Sequence, residues 1–230
     1  GIAQIEKFKQ YLRSKRYSES TITTYSEALK SFLVFYREKV IAEITNEDVV
    51  VYNNDYILKN NLSASYQNQT INAIKLFFKI IHDSKMVIDE LHRPKNAKTL
   101  PNVLSKEETF RLIDLTTNLK HKTLLALIYS SGLRISEAIN MKITDIDSKR
   151  MLIHVKNANG KKDRYTLLST KVLELLKDYY TIYKPKTFLF EGQYGEQYSS
   201  RSAQSVLHQS AKKAGITKRI SLHTLRHSFA

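Results

Sequence analysis

The sequence predicts a mainly α-helical protein with one small β-sheet, arranged as an N-terminal helical bundle followed by a mixed α+β domain. Three observations carry that prediction. Apolar residues recur at helical spacing through most of the chain. Only three prolines and six glycines occur among its 230 residues. One stretch, residues 151–168, alternates apolar and polar side chains on either side of Asn159-Gly160, a strong two-residue hairpin turn. A chain of this length has room for two domains, each able to bury a core of its own.

The helices follow in order. Ile5, Phe8 and Leu12 form the first apolar stripe. Tyr17-Ser18-Glu19-Ser20-Thr21 supplies capping hydroxyls ahead of Ile22, Tyr25, Leu29, Phe32, Leu33 and Tyr36, which share a helical face. Thr45-Asn46-Glu47-Asp48 has the form of a capping box, with Asp at the position where Glu or Gln is usual. A further helix is expected after Ser63, through Tyr66, Ile71, Ile74, Phe77, Phe78 and Ile81. Residues 1–92 therefore form a bundle. Residues 93–102, with Arg93, Pro94, Lys95 and Pro101, combine cations and prolines without apolar periodicity and fit a basic linker or a surface loop equally well. In residues 103–230, Ser105-Lys106-Glu107-Glu108 is a second capping box, opening a helix through Phe110, Leu112 and Ile113. Helices are expected from about Thr123 to Ser131, Thr170 to Tyr183 and Ser199 to Ala214, with the hairpin between the first two.

A formal charge of +15 and a pI near 9.7 call for a polyanionic partner. Nucleic acid is the leading candidate, because Lys and Arg neutralise phosphates and release condensed counterions. An anionic membrane surface is the competing class. No long apolar run or signal-like segment accompanies the charge, so a soluble intracellular protein is expected. The absence of cysteine excludes disulfides, thiolate metal sites and cysteine nucleophiles. Seven histidines are present without an H-E-x-x-H arrangement or a carboxylate cluster, so chemistry with neither metal nor cofactor is expected. The chain opens on Gly1 rather than Met, which reads as an artificial boundary.

Two short motifs carry the chemistry. In Ser130-Ser131-Gly132-Leu133-Arg134-Ile135-Ser136-Glu137, Arg134 follows a Gly-broken turn near the start of a helix, where backbone N–H groups also favour a phosphate. In His223-Thr224-Leu225-Arg226-His227-Ser228-Phe229-Ala230, His223 and Arg226 are three apart and share a helix face. Two arginines and a histidine so placed can clamp a phosphate whose negative charge rises during reaction. Taken singly, each has an ordinary role: Arg134 as the ion-pair partner of Glu137, His223 in helix packing, Arg226 as a solvated cation. His227 is expected to point away from the 223/226 face and to be structural.

The pairing G-L-R-x-S-E, then H-x-L-R-H about ninety residues later, resembles the tyrosine site-specific recombinases, which include phage, Xer-type and transposon integrases. The resemblance covers nearly the whole chain. It implies a core-binding SAM-like helical domain and a tyrosine-recombinase catalytic domain, closing on duplex DNA as a clamp. Arg134 then matches the first catalytic arginine and Glu137 the acidic residue that positions it. Arg226 would hold the other non-bridging oxygen, while His223 donates a hydrogen bond or helps remove the nucleophile's proton. DNA contacts are expected from Arg93, Lys95, Lys156, Lys162, Arg164 and Arg201.

In the family a hairpin lysine protonates the leaving 5′ oxygen. Anchored on Lys162-Asp163-Arg164, that position is Asn159, whose amide is no general acid. Lys161 and Lys156 are the available substitutes. Pairing across a two-residue turn would set Lys156 opposite Asp163 in a structural ion pair, so Lys161 is preferred. Family members continue past H-x-L-R-H-S-F-A to a further His or Trp motif and the nucleophilic tyrosine, a position that none of the 14 tyrosines here occupies. The expectation is a chain truncated before its nucleophile and inactive alone. The implied reaction is site-specific DNA recombination or integration through a 3′-phosphotyrosyl link, by a homotetramer on two DNA sites, in the nucleoid-associated cytoplasm. A non-catalytic DNA-binding protein occupying recombination sites is the alternative. A type IB topoisomerase shares the chemistry but not the front domain.

Overall fold

A computed structural model describes residues 2–81, 102–158 and 162–229, with the backbone alone at 157 and 158. The expected linker residues Arg93 and Lys95, and Asn159, Gly160 and Lys161 of the hairpin, lie outside the described residues. The chain divides into two compact units, Gly1–Lys98 and Thr99–Ala230.

The first unit holds α1 (Ile2–Ser14), α2 (Glu19–Phe35), α3 (Asn46–Tyr52) and α4 (Ala64–Ile81). Ser18 opens α2 by accepting a hydrogen bond from the Thr21 N–H at 3.1 Å. Aspartate serves in the second capping position of α3: the Asp48 carboxylate accepts from the Thr45 N–H at 2.7 Å and from Lys39 Nζ at 2.6 Å. The apolar stripes meet in a core that buries Phe8, Leu12, Leu29, Phe32, Ile74 and Phe77, where Phe8 and Phe77 pack edge to face at 5.7 Å. One feature was not legible in the periodicity. Beyond Tyr52 the chain widens into a π-helical turn, Asn53–Leu58, which carries Asn53 into the interior. Gln67 Nε2 donates to Asn53 Oδ1 at 2.8 Å, joining the two buried amides.

The second unit holds α5 (Lys106–Asp114), α6 (Leu119–Ser131), α7 (Ile135–Asn140), β1 (Ile146–Asp147), β2 (Leu152–Ala158), β3 (Lys162–Leu167), α8 (Thr170–Tyr183), α9 (Ser200–Lys213) and α10 (Leu222–His227). The central helix is α6, in contact with α5, α7, α8, α9 and α10. Every residue from Thr123 to Ile128 is buried, as expected for a helix without a polar face. It starts earlier than Thr123 because Asn118 caps it, accepting from the His121 N–H at 3.1 Å. It stops at Gly132, whose φ of +58° supplies the left-handed residue that ends many helices.

The sheet is antiparallel in the order β1-β2-β3. At two residues, β1 is too short to show a period; it sets Ile146 opposite Ile153. In β2 and β3, His154 faces Tyr165 and Val155 faces Arg164, the register a two-residue turn at 159–160 imposes. The pairing then slips, so that Ala158 faces Lys162 and three residues separate the paired strand ends rather than the two expected.

Candidate active site

Glu137 is the centre of the site. On the first turn of α7, its carboxylate is 6 % exposed and accepts four hydrogen bonds from two arginines. Arg164 donates through Nη1 to Oε1 at 2.7 Å and through Nη2 to Oε2 at 2.9 Å, a two-pronged pair. Arg134 donates its backbone N–H to Oε2 at 2.8 Å and its Nη1 to Oε1 at 3.0 Å. Burial opposes ionisation of Glu137. The hydrogen bonds from Arg164 and Arg134 overcome that cost and hold the carboxyl at about 2, well below its ordinary 4.5. The expected ion pair between Arg134 and Glu137 is thus one half of a three-residue network. The Arg134 side chain retains a third of its exposure.

The third guanidinium arrives on α10, which packs against α6 and α9. Ser221 caps this helix, accepting from the Thr224 N–H at 3.2 Å, and Gln204 Oε1 accepts from the Leu222 N–H at 3.1 Å. Leu222, Thr224 and Leu225 point into the core, leaving Arg226 half-buried and His223 exposed one turn before it. Burial, together with the nearby cations of Arg134 and Arg164, lowers the pKa of Arg226 from the usual arginine value, against a smaller opposing pull from Glu137. Arg134, Arg164, Glu137 and Arg226 therefore share one electrostatic neighbourhood. His227 departs from expectation. It is exposed, and its spacing of four from His223 puts it on the same side of α10, because residues i and i+4 are neighbours on a helix.

The hairpin corrects one expected partner. Lys156 forms its ion pair with Asp145, a carboxylate only 4 % exposed that also accepts from the Lys142 N–H at 2.8 Å. Asp163 instead lies 2.9 Å from His154 Nε2. The slip in register near the strand ends breaks the simple cross-strand pairing, and the 3₁₀ turn Ile143–Asp145 before β1 offers Lys156 a buried carboxylate in exchange. Its bond to Asp145 raises the lysine's pKa. On the same outer face His154 stacks on Tyr165, with centroids 4.9 Å apart.

Of the expected DNA-contacting residues, Lys162 on β3 and Arg201 in the first turn of α9 are exposed. Arg164 spends both prongs of its guanidinium on Glu137. The sequence hides that partnership, because Lys162-Asp163-Arg164 looks like a solvated charge run. The alternation of β3 carries the signal: Tyr165 and Leu167 are exposed, while Arg164 and Thr166 are half-buried, and Thr166 Oγ1 donates to the Ser131 carbonyl at 3.1 Å. Among the described residues, no three His, Asp or Glu side chains are grouped to hold a metal ion, and no helix is long and apolar enough to cross a membrane.

The phage integrase family matches residues 102–230, and the phage integrase N-terminal SAM-like domain matches residues 5–87. A tyrosine recombinase of Thermosipho africanus is 32% identical over 240 residues, covering 98% of this chain and 83% of that protein. A Sinorhizobium fredii protein named as an integrase/recombinase is 36% identical over 189 residues, covering 80% of this chain but only 60% of its own length, so the chain spans less than two thirds of that relative. Among solved structures, XerH site-specific recombinase bound to difH substrate superposes with a TM-score of 0.77 at 20% identity, over 100% of this chain and 73% of that one. A lambda integrase dimer bound to a COC' core site gives 0.76 at 16%, over 98% and 86%. Both likenesses are of fold.

Proposed function

We propose that this chain, which belongs to the phage integrase family of tyrosine recombinases, binds duplex DNA and activates one phosphodiester for attack by a tyrosine in site-specific cleavage and rejoining. The observation that carries this reading is that Arg134 and Arg164 both bond the single carboxylate of Glu137, with the guanidinium of Arg226 in the same electrostatic neighbourhood. Three guanidiniums against one carboxylate leave a local excess of positive charge, half-buried and adjacent to an exposed histidine. Such a site stabilises a phosphate most when its charge is greatest, in the five-coordinate transition state.

In this reaction Arg134 and Arg226 each hold a non-bridging oxygen, and His223 donates a hydrogen bond to the phosphate or assists removal of the tyrosine proton. Attack forms a 3′-phosphotyrosyl bond as the bond to the 5′ oxygen breaks. The departing oxygen takes a proton, for which Lys161 is the preferred source, since Lys156 is engaged by Asp145. The 5′ hydroxyl of a second duplex then reverses the step. The energy of the broken phosphodiester is conserved in the phosphotyrosyl bond, so the chemistry calls for no nucleotide cofactor. Residues 1–92 act as the core-binding domain, 93–102 as a basic linker and 103–230 as the catalytic domain. Arg93, Lys95, Lys162 and Arg201 contact DNA. The acting form is a homotetramer on two duplex sites, working in the cytoplasm at the nucleoid.

Selection of bound duplexes from a random pool tests the proposal. Enrichment of a short inverted repeat, bound by two copies of the chain, is the expected result. A pool that returns without enrichment, at an affinity insensitive to salt, would refute it.

A further inference from the structure

The two prongs of Arg164 raise a question that family resemblance leaves unanswered: why a cation on a DNA-facing hairpin is committed to a carboxylate one-sixteenth exposed on another element. We infer that Arg164 is a positioning residue, which locks the Glu137 carboxylate in place so that Glu137 in turn fixes the guanidinium of Arg134. This rests on the proposed role of Arg134 at the phosphate.

The geometry supports a lock rather than a surface pair. Both oxygens of Glu137 are shared, Oε1 between Arg164 Nη1 and Arg134 Nη1, and Oε2 between Arg164 Nη2 and the Arg134 N–H. A bidentate pair fixes the plane of the carboxylate, and that plane dictates where Arg134 can place its remaining donors. With Arg164 removed, Glu137 would be held by Arg134 alone and could turn. The same pair joins β3 to the start of α7, so any shift of the hairpin on DNA is transmitted to Arg134 through one carboxylate.

Arg164 also keeps Glu137 ionised, and a protonated Glu137 would hold Arg134 less firmly. The charged groups around Glu137 are Arg134 at the head of α7, Arg164 from β3 and Arg226 from α10; Lys142, Asp145, His154 and Lys156 line a cavity together with Glu137. With Arg164 gone, the acid limb of the cleavage profile should move to higher pH.

The test compares Arg164→Met, Arg164→Lys, Arg134→Ala and the Arg134→Ala/Arg164→Met double variant in a polypeptide that carries the attacking tyrosine. The readouts are duplex affinity and the rate of cleavage of a nicked duplex between pH 4 and 8. Arg164→Met should lose cleavage by roughly 10- to 100-fold, the scale of a misplaced catalytic group, with affinity little changed and the acid limb displaced upward. Arg164→Lys should recover part of the loss, and the double variant should be no slower than Arg134→Ala. If Arg164→Met instead lowers affinity, reduces the salt slope by about one contact and leaves the pH profile in place, Arg164 is a phosphate contact and the inference is wrong. Should Arg164→Met fail to fold, Arg164→Lys is judged by the same shift in profile. Full cleavage by Arg134→Ala would sink the phosphate-clamp reading itself, an outcome recognisable because it does not involve Arg164.

Discussion

The ring of Phe229 lies against Gly132: a Cβ built on Gly132 would come within 3.0 Å of Phe229 Cδ1. Gly132 ends α6 two residues before Arg134, and Phe229 follows α10 three residues after Arg226. This contact pins together the two motifs that supply the arginines. Ser228 reinforces it, its Oγ accepting from the Leu104 N–H at 2.8 Å and donating to the Thr224 carbonyl at 2.8 Å.

Gly132→Ala should therefore harm both stability and the site. The left-handed backbone at φ +58° costs a side chain about 1–2 kcal/mol, and the added methyl must displace Phe229. A melting temperature lower by roughly 2–8 °C is expected by calorimetry. Phe229→Ala in the Gly132→Ala background should return part of the loss, because it relieves the contact but not the backbone strain.

The Glu137 network should make stability depend on pH in the acid range. A carboxyl depressed from 4.5 to about 2 in the fold stabilises it above the unfolded value, and loses that contribution as pH falls through the window between the two. At ~1.4 kcal/mol per unit the contribution is on the order of 3 kcal/mol. Denaturant unfolding between pH 6 and pH 2.5 should show this decline, and Glu137→Gln should flatten it. The variant should also be the less stable at neutral pH, since it leaves three guanidiniums facing one another without their carboxylate.

How much of this was legible beforehand divides along physical lines. Helices whose caps are local, such as α2 behind Ser18, α3 behind Thr45 and α5 behind Ser105, were read from sequence because cap and stripe lie within a few residues. The π turn at Asn53 and the two-residue β1 were not, since each depends on distant partners: Gln67 for one, Ile153 for the other. In the site, Arg134, Glu137, His223 and Arg226 were legible as motifs. Arg164 is hard to read as their partner, because a strand from elsewhere in the chain delivers it, and only the alternation along β3 tells which cation turns inward. The partner of Lys156 is hidden in the sequence for a related reason. Ideal hairpin pairing points to Asp163, while the register slip and Asp145 decide otherwise.

Duplex binding should weaken steeply with salt, as the charge of +15 requires. For six phosphate contacts the log–log slope is expected near −5, at about 0.9 per contact. Anisotropy titrations at several salt concentrations measure it, and a slope near zero would remove nucleic acid as the partner.

Anchored on Lys162-Asp163-Arg164, the resemblance implies a lysine where this chain has Asn159, so on the proposed mechanism leaving-group protonation is expected to be under-assisted. General acid catalysis is typically worth about 10² to 10⁴ in rate. In a polypeptide carrying the tyrosine, Asn159→Lys should speed cleavage of a normal duplex, while leaving a substrate with a 5′-bridging sulfur unchanged, because a thiolate departs without a proton. Lys161→Ala should slow only the oxygen substrate if Lys161 is the acid.

On the proposed mechanism Arg134 and Arg226 act on the transition state rather than on ground-state binding, a distinction that affinity and cleavage measured together resolve. Duplex affinity and single-turnover cleavage are determined on the same DNA for the tyrosine-bearing protein and its Arg134→Ala and Arg226→Ala variants. The expected result is affinity retained within severalfold and cleavage lost by about 10² or more, the signature of interactions made only as the phosphate charge develops. Loss of affinity and cleavage in equal proportion, or cleavage undiminished in either variant, would show that these arginines do not act on the transition state.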